Sequence, residues 1–435
     1  MLKAFEEHIK TEFPTLYQGR FLLACSGGVD SVVLAHLCAR SQLDFALVHC
    51  NFKLRGEESD DDEVFVKKLA KTLQREFFVK HFDTDGYVSK NKVSIQMAAR
   101  QLRYAWFDEL VEAEDYKRVV TAHQLDDKLE TFLINLSRGT GIDGLLGIPE
   151  RTDRVLRPLL QFSRAQVLEY AELEGITWRE DRSNLDTKYL RNQIRHQIVP
   201  QLKELHPTFL ENFHKTQEFL QQTASIAENH VEEVRQRLFQ ESNGVQKISV
   251  DALLALRPTT AYLYALFGVF GFREWNDVES LLSATSGKEV RSKSHRLVKH
   301  RKHLLLQAIG TGEDQVYTIS EDQTRINEPL SLVIAQADAL GNTSRQILYV
   351  DKETLKYPLT VRKWKKGDYF YPLGMKGRKK MSKFFKDEKM DIISKEEQWL
   401  LCSGTDIVWV IGKRADERFK VSSRTTQILK FSVQE

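Results

Sequence analysis

The chain has 435 residues, a formal net charge of +3, 41% apolar and 29% charged residues. That length suits two or three domains, and the balance excludes a wholly disordered or fibrous protein. Its longest apolar run, Ala261 to Phe272, falls far short of the ~20 residues of a membrane helix, so no membrane contact is expected. The Met1-to-Pro14 start carries Glu6, Glu7 and Glu12 and has no apolar core of a secretory signal. Four cysteines, Cys25, Cys38, Cys50 and Cys402, include no C-x-x-C pair. They argue against a thiolate zinc site and fit a reducing, cytoplasmic setting.

Charge is unevenly spread. Lys288 to His303 holds seven Lys/Arg and one acid, and Val361 to Glu388 holds ten and three, leaving −10 for the rest. Two concentrated basic patches on an otherwise acidic chain predict a polyanionic partner.

Strands are predicted at Phe21–Cys25, Asp44–His49, Phe77–His81 and Arg118–Thr121. Helices are predicted between and after them at Ser31–Ala39, Asp60–Leu73, Ser94–Ala113 and Leu125–Ser137. Such alternation predicts a doubly wound parallel sheet with ligands at the carboxyl ends of its strands. Six acids in seven residues, Glu57–Glu63, are read as charging a helix start, where acids suit the dipole. From Pro207 to Phe239 runs a long polar helical stretch, with more helix through Leu282. Short apolar runs return at Leu355–Val361, Gln398–Cys402, Ile407–Ile411 and Thr426–Val433, predicting a small mixed α/β terminal domain. Gly310–Asn342 is turn-rich and stays unplaced.

After the first strand comes Ser26-Gly27-Gly28-Val29-Asp30-Ser31, which enters a helix directly. Two glycines permit close backbone approach, and free N–H groups at the helix start attract anions. Ser26 and Ser31 can add hydroxyl donors to phosphate oxygens. Neither a Walker loop nor a G-x-G-x-x-G fingerprint occurs here. On the helix after His123, Asp127 and Glu130 stand i, i+3 beside a stripe of Leu125, Leu129, Phe132, Leu133 and Leu136. Those carboxylates can hold a magnesium ion (Asp127 is the candidate ligand) or receive and deprotonate an ammonium group. Asp126 is read as part of a solvated face. Arg100 and Arg103, again i, i+3, can clamp phosphates. His123 can cap the strand end or touch nucleotide.

A strand followed by SGGxDS resembles the pyrophosphate (PP) loop of the ATP-pyrophosphatase superfamily. Further matches are Val48–Asn51, Arg55–Ser59, Ala99-Arg100-x-x-Arg103-Tyr104, Thr121–Thr131, Ser137–Gly141, Arg157–Leu160, Glu180-Asp181-x-Ser183-Asn184 and Arg191-Asn192-x-x-Arg195. With Trp364–Asp368 and Val408–Arg414, this set resembles the bacterial tRNA(Ile)-lysidine synthetase family. The resemblance implies ATP-dependent joining of L-lysine to C2 of the wobble cytidine in tRNA(Ile) with a CAU anticodon, through an adenylated cytidine. It implies a PP-loop catalytic domain over 1–210, a mostly helical tRNA-binding domain over 211–345 and a small basic tRNA-binding domain over 346–435. It implies ATP contacts from Ser26, Gly27, Gly28, Val29, Asp30, Ser31, Arg100 and His123, and catalytic roles for Asp30, Arg103, Asp127 and Glu130. ATP with Mg2+ is the expected cofactor, and a homodimer stays open.

Within Val361–Glu388, Lys365, Lys366, Arg378, Lys379, Lys380 and Lys383 are the expected phosphate contacts. Aromatics among them can stack on unpaired bases, with Trp364 and Phe370 assigned to the core. Two alternatives stay open: another PP-loop tRNA-modifying or amide-forming ligase, and a noncatalytic RNA-binding protein.

Overall fold

The computed structural model describes residues 1–113, 116–180, 190–242, 244–309 and 315–434. They form two compact units, Met1–Glu228 and Asn229–Glu435. The first begins with α1 (Leu2–Glu12) and then alternates strand and helix: β1 (Phe21–Ala24), α2 (Val29–Arg40), β2 (Phe45–Asn51), α3 (Glu57–Thr72) and β3 (Phe77–His81). After α4 (Thr84–Asn91) and α5 (Ile95–Ala113) come β4 (Val119–Val120), α6 (Leu125–Arg138), α7 (Ile142–Leu145), β5 (Val155–Leu156) and α8 (Arg164–Leu173).

The five strands make a parallel sheet in the order β3-β2-β1-β4-β5. Near-continuous apolar strands such as Phe21-Leu-Leu-Ala suit it, because helices cover both faces. One face buries Leu23 and Leu47 against Val32, Val33 and Leu37 of α2; the other buries Leu22, Ala46 and Val48 against Trp106 and Phe107 of α5. Strand order reverses between β1 and β4, where sheets of this kind open a ligand crevice. Within this unit follow α9 (Leu190–Gln193), a π-helical turn at Ile194–Ile198 and α10 (Val199–Leu205); α11 (Phe209–Leu238) carries the unit boundary.

The second unit carries the expected helices at Val250–Ala255, Thr259–Phe267 and Trp275–Ser283. Around them stands a five-stranded antiparallel sheet drawn from Phe239–Ser242, Val245–Ser249, Glu289–Arg291, His295–His300 and His303–Ala308, which sequence reading did not place. The terminal part holds two antiparallel sheets of five and four strands and the short helices Met381–Asp387 and Ile392–Glu396. Three of the strands, Tyr317–Ile319, Arg325–Ile326 and Leu332–Ala337, fall in the unplaced turn-rich stretch. No described helix is long and apolar enough to cross a membrane.

Candidate active site at the sheet crevice

The loop after β1 turns on Gly27, whose φ of +92° disfavours any side chain. An added Cβ would also touch Phe65, Val66 and Arg179 at 3.6–3.8 Å. Ser31 is buried, and its hydroxyl donates to the Gly28 carbonyl at 2.9 Å and accepts from Ser26 N–H at 3.2 Å. That hydroxyl therefore braces the loop, while Ser26 stays exposed beside the N-terminus of α2. The Arg179 N–H donates to the Gly27 carbonyl at 2.9 Å, and its guanidinium reaches Asp61 and Asp62 of α3.

Asp30 lies in the first turn of α2. Its Oδ1 is enclosed and has no hydrogen-bond partner among the described residues. Burial first, then repulsion from Asp127, raises its pKa to about 7, against the pull of Arg164 and Arg195.

Across the crevice, Gln124 caps α6: its side chain accepts from Asp126 N–H at 2.6 Å, while Asp127 Oδ2 accepts from Gln124 N–H at 3.1 Å. The carboxylates on this helix differ from expectation. Asp126 is 5% exposed, accepts from Arg164 N–H and pairs with Lys203, so it is a buried brace and not a solvated charge. Glu130 is 1% exposed and accepts from Arg191 Nε at 2.8 Å and from Arg195 Nε and Nη2 at 2.5 and 3.1 Å. Arg195 Nη2 also donates to Asp127 Oδ1 at 3.1 Å. Asp127 and Glu130 thus share a face, as expected, but guanidinium groups already occupy them. The apolar stripe holds through Leu125 and Leu129, whereas Leu136 is exposed.

His123 follows β4 and pairs through Nδ1 with the Thr121 hydroxyl at 3.0 Å. Burial first, and then Arg157, Arg191, Arg103 and Arg100, push its pKa down to about 3. At neutral pH it is an uncharged ring ringed by cations. The Arg103 guanidinium lies 5.4 Å from the Phe52 ring centre, and exposed Arg100 lies 4.7 Å over Tyr104. Sequence reading had matched Arg157, Arg191 and Arg195 to motifs without giving them roles. The i, i+4 spacing of the last two was the available signal, and in the structure Arg195 lies in a π-helical turn of the kind often found at functional sites. Residues 181–189, which carry most of the Glu180-Asp181-x-Ser183-Asn184 match, lie outside the described residues. Among the described residues, no group of three or more His, Cys, Asp or Glu is arranged to hold a metal ion by itself.

In the second unit, Lys365, Lys366, Arg378, Lys380 and Lys383 are exposed. Lys379 is not: it pairs with Asp387 at 2.8 Å and lies 5.7 Å from the Phe384 ring centre. Lys379–Lys380 form a short strand against Tyr369–Phe370, and Met381, Phe384 and Phe385 anchor the next helix in a core with Phe370. Trp364 packs edge-on against Phe385 at 5.2 Å, as expected of a core aromatic.

The glycine-turned, helix-opening loop at the strand-order reversal defines a nucleotide-cleaving domain of the PP-loop class, and residues 1–202 match the family model described as PP-loop domain. Residues 240–309 match a TilS substrate binding domain and 359–431 a TilS substrate C-terminal domain. The tRNA(Ile)-lysidine synthase of Parabacteroides distasonis is 38% identical over 94% of both chains. Those of Bacteroides thetaiotaomicron and Porphyromonas gingivalis are 33% identical over 98% and 36% identical over 94% of both chains. The chain belongs to the tRNA(Ile)-lysidine synthase family.

Proposed function

We propose that this protein is a ligase that uses ATP to join L-lysine to C2 of the wobble cytidine in tRNA(Ile) with a CAU anticodon. The observation that carries the reading is the Ser26–Ser31 loop at the strand-order reversal, which includes Asp30 with its enclosed, unpartnered Oδ1 and lies near Arg164 and Arg195. In the first step the cytidine O2 attacks the α-phosphorus of ATP, and pyrophosphate leaves. In the second, the lysine ε-amine attacks C2, AMP leaves and the amine gives up its proton.

Several residues suit these steps. Ser26 and the N–H groups of the Gly27–Val29 turn bind the departing pyrophosphate. Arg103, Arg191 and Arg195 offset charge developing on the phosphates and the adenylated base. Neutral His123 offers a hydrogen-bond acceptor that does not compete with them for anions. Asp30 and Asp127 together fit a magnesium ion, which needs one or two carboxylates beside phosphate oxygens and neutralises triphosphate charge when bound. Lysine's ammonium is assigned to Glu130, whose place is held in the structure by Arg191 and Arg195. Residues 211–345 and 346–435 are assigned to gripping tRNA, the second through its exposed Lys/Arg set, and the cytoplasm is the proposed setting.

Mass spectrometry of tRNA(Ile) after incubation with ATP and lysine tests the reading. The nucleoside should gain the mass of lysine less water, and pyrophosphate should appear only when tRNA is present. Pyrophosphate release without RNA would favour a small-molecule ligase instead.

A further inference from the structure

The first unit has a second cationic recess whose lining shares no residue with the Ser26–Ser31 loop. A cavity of about 370 Å3 lies between α5 and the residues around the edge strand β5, lined by Arg100, Tyr104, Asp108, Arg154 and Arg157, with Asp153 among its other residues. That size lies within the range of small-ligand sites, about 300–1,000 Å3.

The three arginines are not equivalent. Arg154 is already paired, donating to Asp108 at 2.9 Å and to Glu112 at 3.3 Å. Arg157 is 5% exposed, donates from Nη1 to the Pro149 carbonyl at 2.9 Å, and has an enclosed Nε with no partner among the described residues. Among those residues no carboxylate pairs with it. A buried guanidinium without a carboxylate is costly, and one that lines a cavity is suited to an anion from outside. At the α5 side, Arg100 layers over Tyr104, giving a planar cationic platform. The field of this group extends inward, since Arg157 is the foremost of the charges holding His123 neutral.

We propose that this recess seats one nucleotide of the single-stranded RNA loop beside the target base. Its phosphate lies against Arg157 and its base on the Arg100–Tyr104 layer. The proposal rests on the tRNA-modifying reading above, and it moves Arg100 from ATP to RNA. Phosphate is common to RNA and ATP, but ATP has its own cradle at the Ser26–Ser31 loop. The recess sits at the sheet's open edge, and Arg and Tyr planes are standard stacking surfaces for unpaired bases.

The test uses the full chain, an RNA hairpin with the CAU loop, and two hairpins abasic on one or the other side of the target base. Arg157→Gln, which removes the charge, should weaken hairpin binding about tenfold and flatten its log–log salt slope by about 0.7, the loss of one single-strand phosphate contact. ATP affinity of this variant, measured without RNA, should stay within twofold. One abasic hairpin should bind wild type less well, and Arg100→Gln, at an exposed position, should abolish that difference. Weakened ATP binding with unchanged hairpin binding would assign the recess to ATP and overturn the proposal. Unchanged binding of every hairpin by a folded Arg100→Gln variant would overturn it too. If wild type binds no hairpin at all, the tRNA reading itself fails, a result distinct from either.

Discussion

The head of α6 and the basic stretch Val361–Glu388 handle charge in opposite ways. Around α6, Asp126 and Glu130 are buried, Asp127 is mostly enclosed, and each meets a cation at hydrogen-bond distance. Asp30 nearby has one carboxylate oxygen, Oδ1, without a partner among the described residues, and burial favours its neutral form. In the terminal stretch, Lys365, Lys366, Lys380 and Lys383 extend into solvent while Phe370, Phe384 and Phe385 hold the backbone from beneath. Removing one partner from an enclosed pair leaves the other charge buried and uncompensated, at a cost of about 3–5 kcal/mol. Exposed charge contributes little to folding and remains available to a polyanion. On the assignments proposed above, the α6 chemistry sits among costly charges, and the terminal stretch offers RNA cheap ones.

The sharpest way to break this contrast is to empty one enclosed partner. Arg195→Ala leaves Glu130 buried with one of its three hydrogen bonds and should cost about 3–5 kcal/mol of stability in urea unfolding. A change below about 1 kcal/mol would mean the cluster behaves like a surface pair. Next, Ser26→Ala and Asp30→Ala should each lower the adenylation rate by about 10²–10³, the scale of one lost transition-state contact. Filter binding should find their tRNA affinity within twofold of wild type. A parallel loss of tRNA affinity in a folded Ser26→Ala protein would erase the division of labour.

The third prediction turns on pH. The Asp30 pKa stands at about 7 in the fold against an ordinary 3.8, so folding favours its protonated form. The unfolded state releases this proton first. A destabilising contribution therefore grows between pH 4 and pH 7 and is complete above 7. Asp30→Asn should raise Tm by several degrees at pH 8 and leave it unchanged at pH 4. Equal Tm values at both would show that Asp30 ionises freely. Smallest of all should be the effect of terminal lysines on the salt dependence of tRNA binding. Lys380→Ala and Lys383→Ala should each flatten the log–log slope by roughly 0.7–0.9. Lys379→Ala should leave the slope unchanged, because its ammonium is committed to Asp387.

Local pattern carried much of the first unit. Phe77–His81 matches its predicted strand, and the helix predicted at Leu125–Ser137 ends one residue later. The loop was legible because its glycines and serines are contiguous. The partners of Glu130 were not, since Arg191 and Arg195 lie 61 and 65 residues downstream and only the fold brings them back. Asp126 looked solvated for the same reason: Lys203 is 77 residues away. The sheet over Phe239–Ala308 was missed because its strands are short and polar, such as Phe239-Gln-Glu-Ser, and because His295–His300 reads first as a charge patch. Lys379 shows the reverse limit, a residue whose basic context concealed its acid partner, Asp387, at the far end of the following helix.

The acidic run Glu57–Glu63 has a further consequence for the unfolded chain. Six carboxylates in seven residues repel one another wherever the segment is free of its neighbours. In the folded unit Lys53, Arg55 and Arg179 meet Asp60, Asp61 and Asp62, and His81 meets Glu63. Arg179 comes from more than a hundred residues downstream and also donates its N–H to Gly27. The phosphate-binding turn therefore gains this brace only after the chain has been made as far as Arg179, about 150 residues beyond the turn itself.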